Sequence, residues 1–184
     1  MKNWKENTMK KVFFWNLSGL LFTLLVGTLL HFVYDWFGGS FWAVLGAVNE
    51  STWEHLKLVF WPIVLFGFIE YLFYGRNIRG FLPTKVFSLL IAMVSIVVVF
   101  YTYTGIIGDH FLVLDILTFV IGAVLAYWFA YCQLKKARSM DANKFLWGFS
   151  MILLIVLLIS FIIFTFDPPH IALFLDPAQG SYGL

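Results

Sequence analysis

Five apolar runs, separated by short polar stretches, decide what this chain can fold into. They cover roughly Val12–Tyr34, Leu56–Tyr74, Val86–Ile107, Phe111–Gln133 and Phe145–Phe166. A helix needs about 20 mostly apolar residues to cross the hydrocarbon core of a bilayer, and each run is close to that length. Composition removes the soluble alternative. Only 12% of the 184 residues are charged and 61% are hydrophobic, whereas a soluble domain carries roughly 25% charged residues. The sequence therefore predicts an all-α, polytopic membrane helix bundle, a single integral membrane domain over residues 1–184, with the lipid bilayer as its first partner. The segment Trp36–Val48 has an apolar core of only eight residues, Phe41–Val48, beside Gly38 and Gly39. It is too short to span and reads as interfacial or re-entrant. The first run follows a basic start but exceeds the ~7–15 residues of a secretory h-region, and no small-residue cleavage site follows it, so it reads as an uncleaved signal anchor.

Orientation follows from the loops. Lys2, Lys5, Lys10, Lys11, Arg76, Arg79, Lys85, Lys135, Lys136, Arg138 and Lys144 fall on one side. They are eleven of the twelve basic residues, and Lys57 alone falls on the other. Cytoplasmic loops are enriched in Lys and Arg, which predicts the N-terminus inside and the C-terminus outside. Trp4, Trp15, Trp128 and Trp147 on the inner boundary, and Trp36, Trp42, Trp53, Tyr101 and Tyr103 on the outer, fit interfacial belts. Pro62 lacks the amide proton that would bond Leu58 and should kink the second helix. Asn16 and Ser18, beside Gly19, read as interhelical hydrogen-bond glue. The tail from Asp167 to Leu184 is too apolar for disorder and too interrupted to span, so it should pack over the outer helix ends. Cys132, the one cysteine, permits no internal disulfide and reads as a spectator thiol, with palmitoylation as the alternative. No basic stripe suggests nucleic acid.

On that topology all four histidines and seven of the ten acids fall near outer boundaries. His31 and Asp35 are one helical turn apart, hence on one face. Glu50 and Glu54 have the same spacing, and His55 adjoins Glu54. His110 and Asp115 enter the fourth span; Asp109 reads as loop. Asp167 and His170 leave the fifth, and Asp176 lies in the tail. Imidazole and carboxylate together suit a divalent metal, with zinc a candidate, and would equally serve proton transfer. The expected metal set is His31, Asp35 and His55 with His110 or His170, and Glu50 or Glu54 is the expected catalytic base. Each piece also has a structural reading. Ser51 and Glu54 form a capping box, unless Asn49 is the cap, and Lys57 can pair with Glu54. Asp167-Pro-Pro-His170 can simply end a helix. Zincin, nucleophile-elbow and P-loop signatures are absent; the string WEHLK lacks the second zincin histidine.

The segment VNESTWEHLKLVFWP (Val48–Pro62), preceded by HFVYDW (His31–Trp36), resembles the signature of a small bacterial integral membrane family catalogued only as a domain of unknown function. The tail pattern HIALFLDP followed by YG is similar. The resemblance covers most of the chain and implies a bacterial cytoplasmic-membrane protein, but transfers no activity. Alkaline ceramidase-type membrane hydrolases, which hold zinc with histidines among their helices, are similar in class only, with more spans and different spacing.

Three functions compete at this point. The first is a metal-dependent, membrane-embedded hydrolase acting on a lipid or lipid-linked substrate at the outer leaflet. The second is a cation- or proton-coupled transporter or ion-binding protein, disfavoured by the lack of an inverted repeat and by few polar residues in the inner halves of the spans. The third is a non-catalytic accessory protein whose polar cluster ties helix ends together. Oligomeric state, substrate and metal identity are not encoded in any motif of the chain.

Overall fold

The computed structural model describes residues 2–78, 80–135 and 144–184, with side chains from Lys10 onward. Arg79, Lys136, Arg138 and Asp141 lie outside the described residues, as do the side chains of Lys2, Trp4, Lys5 and Glu6. Six α-helices form: α1 (Lys2–Phe37), α2 (Gly39–Leu45), α3 (Thr52–Phe73), α4 (Phe81–Ile107), α5 (Leu112–Lys135) and α6 (Lys144–Phe166). Short 3-10 turns cover Gly75–Asn77 and Ala172–Phe174. Five helices, all but α2, are long and apolar enough to cross a membrane. The start of α1, the ends of α3 and α5 and the starts of α4 and α6 form one end of the bundle, called here the near end. The α1–α3 and α4–α5 connections and the tail form the far end.

Helices α1, α3, α4 and α5 pack together, and α6 leans on α4 from outside. The core joins Leu56, Val59, Phe60 and Ile63 of α3 to Leu89, Met93 and Ile96 of α4 and Tyr127 of α5. Leu21, Leu25, Val94, Val98 and Ile152 are exposed, as the lipid-facing stripes of such helices must be. Small residues set the close crossings. A Cβ on Gly27 would lie 2.4 Å from the Leu58 carbonyl oxygen. That oxygen is the one Pro62 deprives of its helical amide partner, so α1 backs its glycine onto the freed carbonyl while α3 continues through the proline.

The Trp36–Val48 segment does fold back. Its helix, α2, has seven residues, and a Cβ on the following Gly46 would meet the Leu30 carbonyl of α1 at 2.7 Å. A helix end buried in this way needs partners for its last carbonyls. Lys57 supplies them: its ammonium donates to Ala43 O (2.8 Å) and Gly46 O (3.3 Å), while the Trp61 indole donates to Val44 O (2.9 Å).

The tail packs as its composition predicts. Phe174 is buried against Trp53 and Phe164. Leu184 N donates to Thr165 O, and Asn49 Nδ2 donates to Gly183 O (both 3.0 Å). Asp176 closes a turn by accepting from Ala178 N.

Candidate functional site

Three side chains converge at the far end. His31 sits on the last turns of α1, His55 on the first turn of α3, and Glu50 on the loop just before it. The Nε2 atoms of His31 and His55 lie 3.3 Å apart. Glu50 Oε2 is 3.4 Å from His55 Nε2 and 4.0 Å from His31 Nε2. The α2 fold-back keeps α1 beside α3, and Ser51 opens α3 by accepting from Glu54 N (3.3 Å), which fixes where His55 emerges. The side chains of His31 and His55 are about a third exposed and that of Glu50 about half. The group therefore opens outward from the helix ends.

His55 Nδ1 lies 2.9 Å from the Ser51 carbonyl. A carbonyl only accepts, so Nδ1 carries the proton and Nε2 turns its lone pair toward His31 and Glu50. This is the way a backbone carbonyl orients a metal-bound imidazole. Zinc–ligand bonds of about 2.0–2.1 Å place tetrahedral ligands roughly 3.3–3.4 Å apart. Two of the three separations fall on that value, and the third is longer by a side-chain adjustment. Among the described residues these three form the group whose ligand atoms lie close enough to share a metal.

The remaining expected residues take other partners. Glu54 is buried and its Oε2 accepts from Lys57 Nζ (2.6 Å) and Val48 N (3.0 Å). Asp35 is exposed and outside the cluster. His110 pairs with Asp115 at 3.3 Å, and the Tyr103 hydroxyl donates to the same carboxylate. Asp115 is near enough for its charge to act on His55, which makes this group a neighbour of the cluster. His170 stacks on Tyr182, ring centroids 4.4 Å apart.

Sequence reasoning missed a second polar group, at the near end. Glu70 of α3 is fully buried, forms an ion pair with Lys85 of α4, and accepts from the Tyr74 hydroxyl (2.8 Å). The Lys85 ammonium also lies 5.2 Å from the Tyr127 ring centroid, and Tyr127 hydrogen-bonds Thr23 (2.9 Å). Lys85 reads as a loop charge in the sequence because the apolar run starts after it, yet α4 begins four residues earlier, at Phe81. Glu70 inside an otherwise apolar run was the available signal.

The whole chain, residues 1–184, matches the model of a family described as a family of unknown function, DUF6512. No curated protein and no solved structure matches the chain.

Proposed function

We infer the function from the site itself, because this chain belongs to the DUF6512 family and that family carries no assigned activity. We propose a metal-dependent, membrane-embedded hydrolase in which His31, Glu50 and His55 hold a divalent cation, zinc first among the candidates. The supporting observation is the His31–Glu50–His55 triangle, with two of its edges at tetrahedral ligand separations and His55 oriented by Ser51. Two histidines, one glutamate and an open fourth position are a ligand set of catalytic zinc. The cation would lower the pKa of a bound water to about 7. In this reading the bound cation would supply an activated water for hydrolysis of an ester, and the second Glu50 oxygen would be placed to hold the proton that such a water gives up and to return it to the leaving alkoxide. Glu54 keeps a structural role, since Lys57 and Val48 already occupy it.

The cluster opens at the bundle end, where headgroups lie, which favours a lipid or lipid-linked substrate. The eleven-to-one distribution of basic residues favours the far end outside, and the resemblance of the Val48–Pro62 segment favours a bacterial inner membrane. Reporter fusions at both termini test that orientation; finding both on one side would overturn it. A cation- or proton-coupled transporter draws support from the Glu70–Lys85 pair. However, His55 and Glu70 are fifteen residues apart on α3, roughly 22 Å, and Val59, Phe60 and Ile63 pack the interval.

Metal analysis of the purified protein is the decisive test. Bound zinc is expected in the unaltered chain and absent from a His31→Ala, His55→Ala double variant. Equal metal in both would remove the site. A zinc-loaded protein that leaves vesicle lipids and lipid-linked esters intact would remove the hydrolase and leave the ion-binding reading.

A further inference from the structure

A cavity of about 360 Å3 lies between α3, α4 and α6 at the near end, away from the histidine cluster. Its cause is the way α6 docks. At the far end α6 is pinned to α3, with Phe161 stacked on Trp53 and tilted against Phe60, ring centroids 4.5 Å apart in both pairs. At the near end the space between α3 and α6 is this cavity, walled by residues such as Gly67, Leu82, Trp147 and Met151. Phe68, Tyr71 and Trp147 on its rim are exposed on the outside of the bundle, so it opens sideways, where lipid lies. Along α4 the lining runs from Phe81 to Leu89. The eight steps between them rise about 12 Å, close to one leaflet's share of a ~30 Å core.

Gly67 faces this space: a Cβ built there meets nothing within 4 Å. Lys85 is the one charged residue in the lining, and Glu70 already neutralises it. Exposed positive charge lies on the near ends of two of the helices that wall the cavity. Arg76 follows the end of α3, and Lys144 opens α6 one turn before Trp147; both are exposed.

We propose that this cavity binds one acyl chain of an anionic phospholipid from the near-end leaflet. The chain lies along Gly67, and the phosphate meets Arg76 and Lys144. The apolar lateral opening selects a lipid tail, the depth matches one leaflet, and the basic helix ends select an anionic headgroup.

The full chain, reconstituted in vesicles of equal phosphatidylglycerol and phosphatidylcholine and then extracted in mild detergent, can be weighed intact with its retained lipids. Phosphatidylglycerol should be retained in preference to phosphatidylcholine. Gly67→Leu, whose Cβ enters open space and whose branched side chain would occupy the cavity, should cut retention about tenfold, equivalent to ~1.4 kcal/mol. Gly67→Ala controls for helix propensity and should keep most of it. The double variant Arg76→Gln, Lys144→Gln should hold both lipids equally, and it tests the proposal even if Gly67→Leu fails to fold. Unchanged retention in folded Gly67→Leu, equal retention of the two lipids by the unaltered chain, or a dimer that Gly67→Leu dissociates would each overturn the proposal.

Discussion

Within one turn of α3, Glu54 and Lys57 are sealed while His55 stands open. Glu54 and Lys57 are 1% and 0% exposed, and every charge there meets its opposite or a carbonyl dipole. Glu70 and Lys85 repeat that arrangement at the near end. His31, Glu50 and His55 differ in both respects. They are solvent-accessible, and they bring two imidazole nitrogens and a carboxylate together. A sealed ion pair balances its own charge and holds helices in place. An open group with surplus lone pairs is complete only with something added: a proton, or a metal. The difference sets Glu54, Lys57, Glu70 and Lys85 apart as architecture and is why the histidine cluster is the site proposed for chemistry.

The comparison breaks most easily at Lys57. Lys57→Met should leave Glu54 buried without its counter-charge and strip the Ala43 and Gly46 carbonyls of their donor. Breaking one partner of a buried pair costs about 3–5 kcal/mol. Unfolding in detergent micelles measures it. A double variant, Lys57→Met with Glu54→Leu, should recover part of the loss, because the remaining carboxylate is what suffers. A single variant as stable as the unaltered protein would mean that the pair is not sealed as described.

These two classes were unequally legible in the sequence. The spans were readable because hydrophobic length has few alternatives at this composition. The approach of His31 to His55 was readable too, since a short connection leaves α1 and α3 little choice but adjacency. The allocation of Glu54 was not. Glu54 and His55 are neighbours in sequence, but one residue turns a helix by about 100°. Glu54 therefore looks toward α2 while His55 looks toward α1. The i,i+3 spacing offered Lys57 as the partner of Glu54, and the two do pair; that the pair is sealed, and so withdrawn from the cluster, depends on the fold-back of α2, which only the tertiary arrangement reveals. Asp35 illustrates the reverse: its spacing from His31 was right for a shared face, but the cluster draws its carboxylate from the loop, at Glu50.

Asn49 joins the sealed and open regions, and the effect there should be intermediate. Its side chain donates to Gly183 O and accepts from Ser51 N (2.9 Å), tying the tail to the loop that carries Glu50. Asn49→Ala should cost about 1–2 kcal/mol for two partly buried hydrogen bonds. Zinc affinity should fall with it, because Glu50 loses its fixed position. A stability loss with unchanged zinc affinity would separate the tail from the site and leave it as a cover for the helix ends.

The smallest stability effect belongs to the cluster itself. His31→Ala and His55→Ala remove side chains already about a third exposed, whose hydrogen bonds water can replace. In metal-free protein each should therefore change stability by less than about 1 kcal/mol. Zinc should then divide the variants from the unaltered chain. A ligand that binds only the folded state stabilises it by about 2.7 kcal/mol at a hundredfold excess over Kd. That increment should appear in the unaltered protein and vanish in both histidine variants, while Lys57→Met in a fold-retaining background such as Glu54→Leu keeps it. Large losses from His31→Ala without metal would instead make the cluster a structural tie of the same kind as Glu54 and Lys57, and the distinction between sealed and open charge would fail.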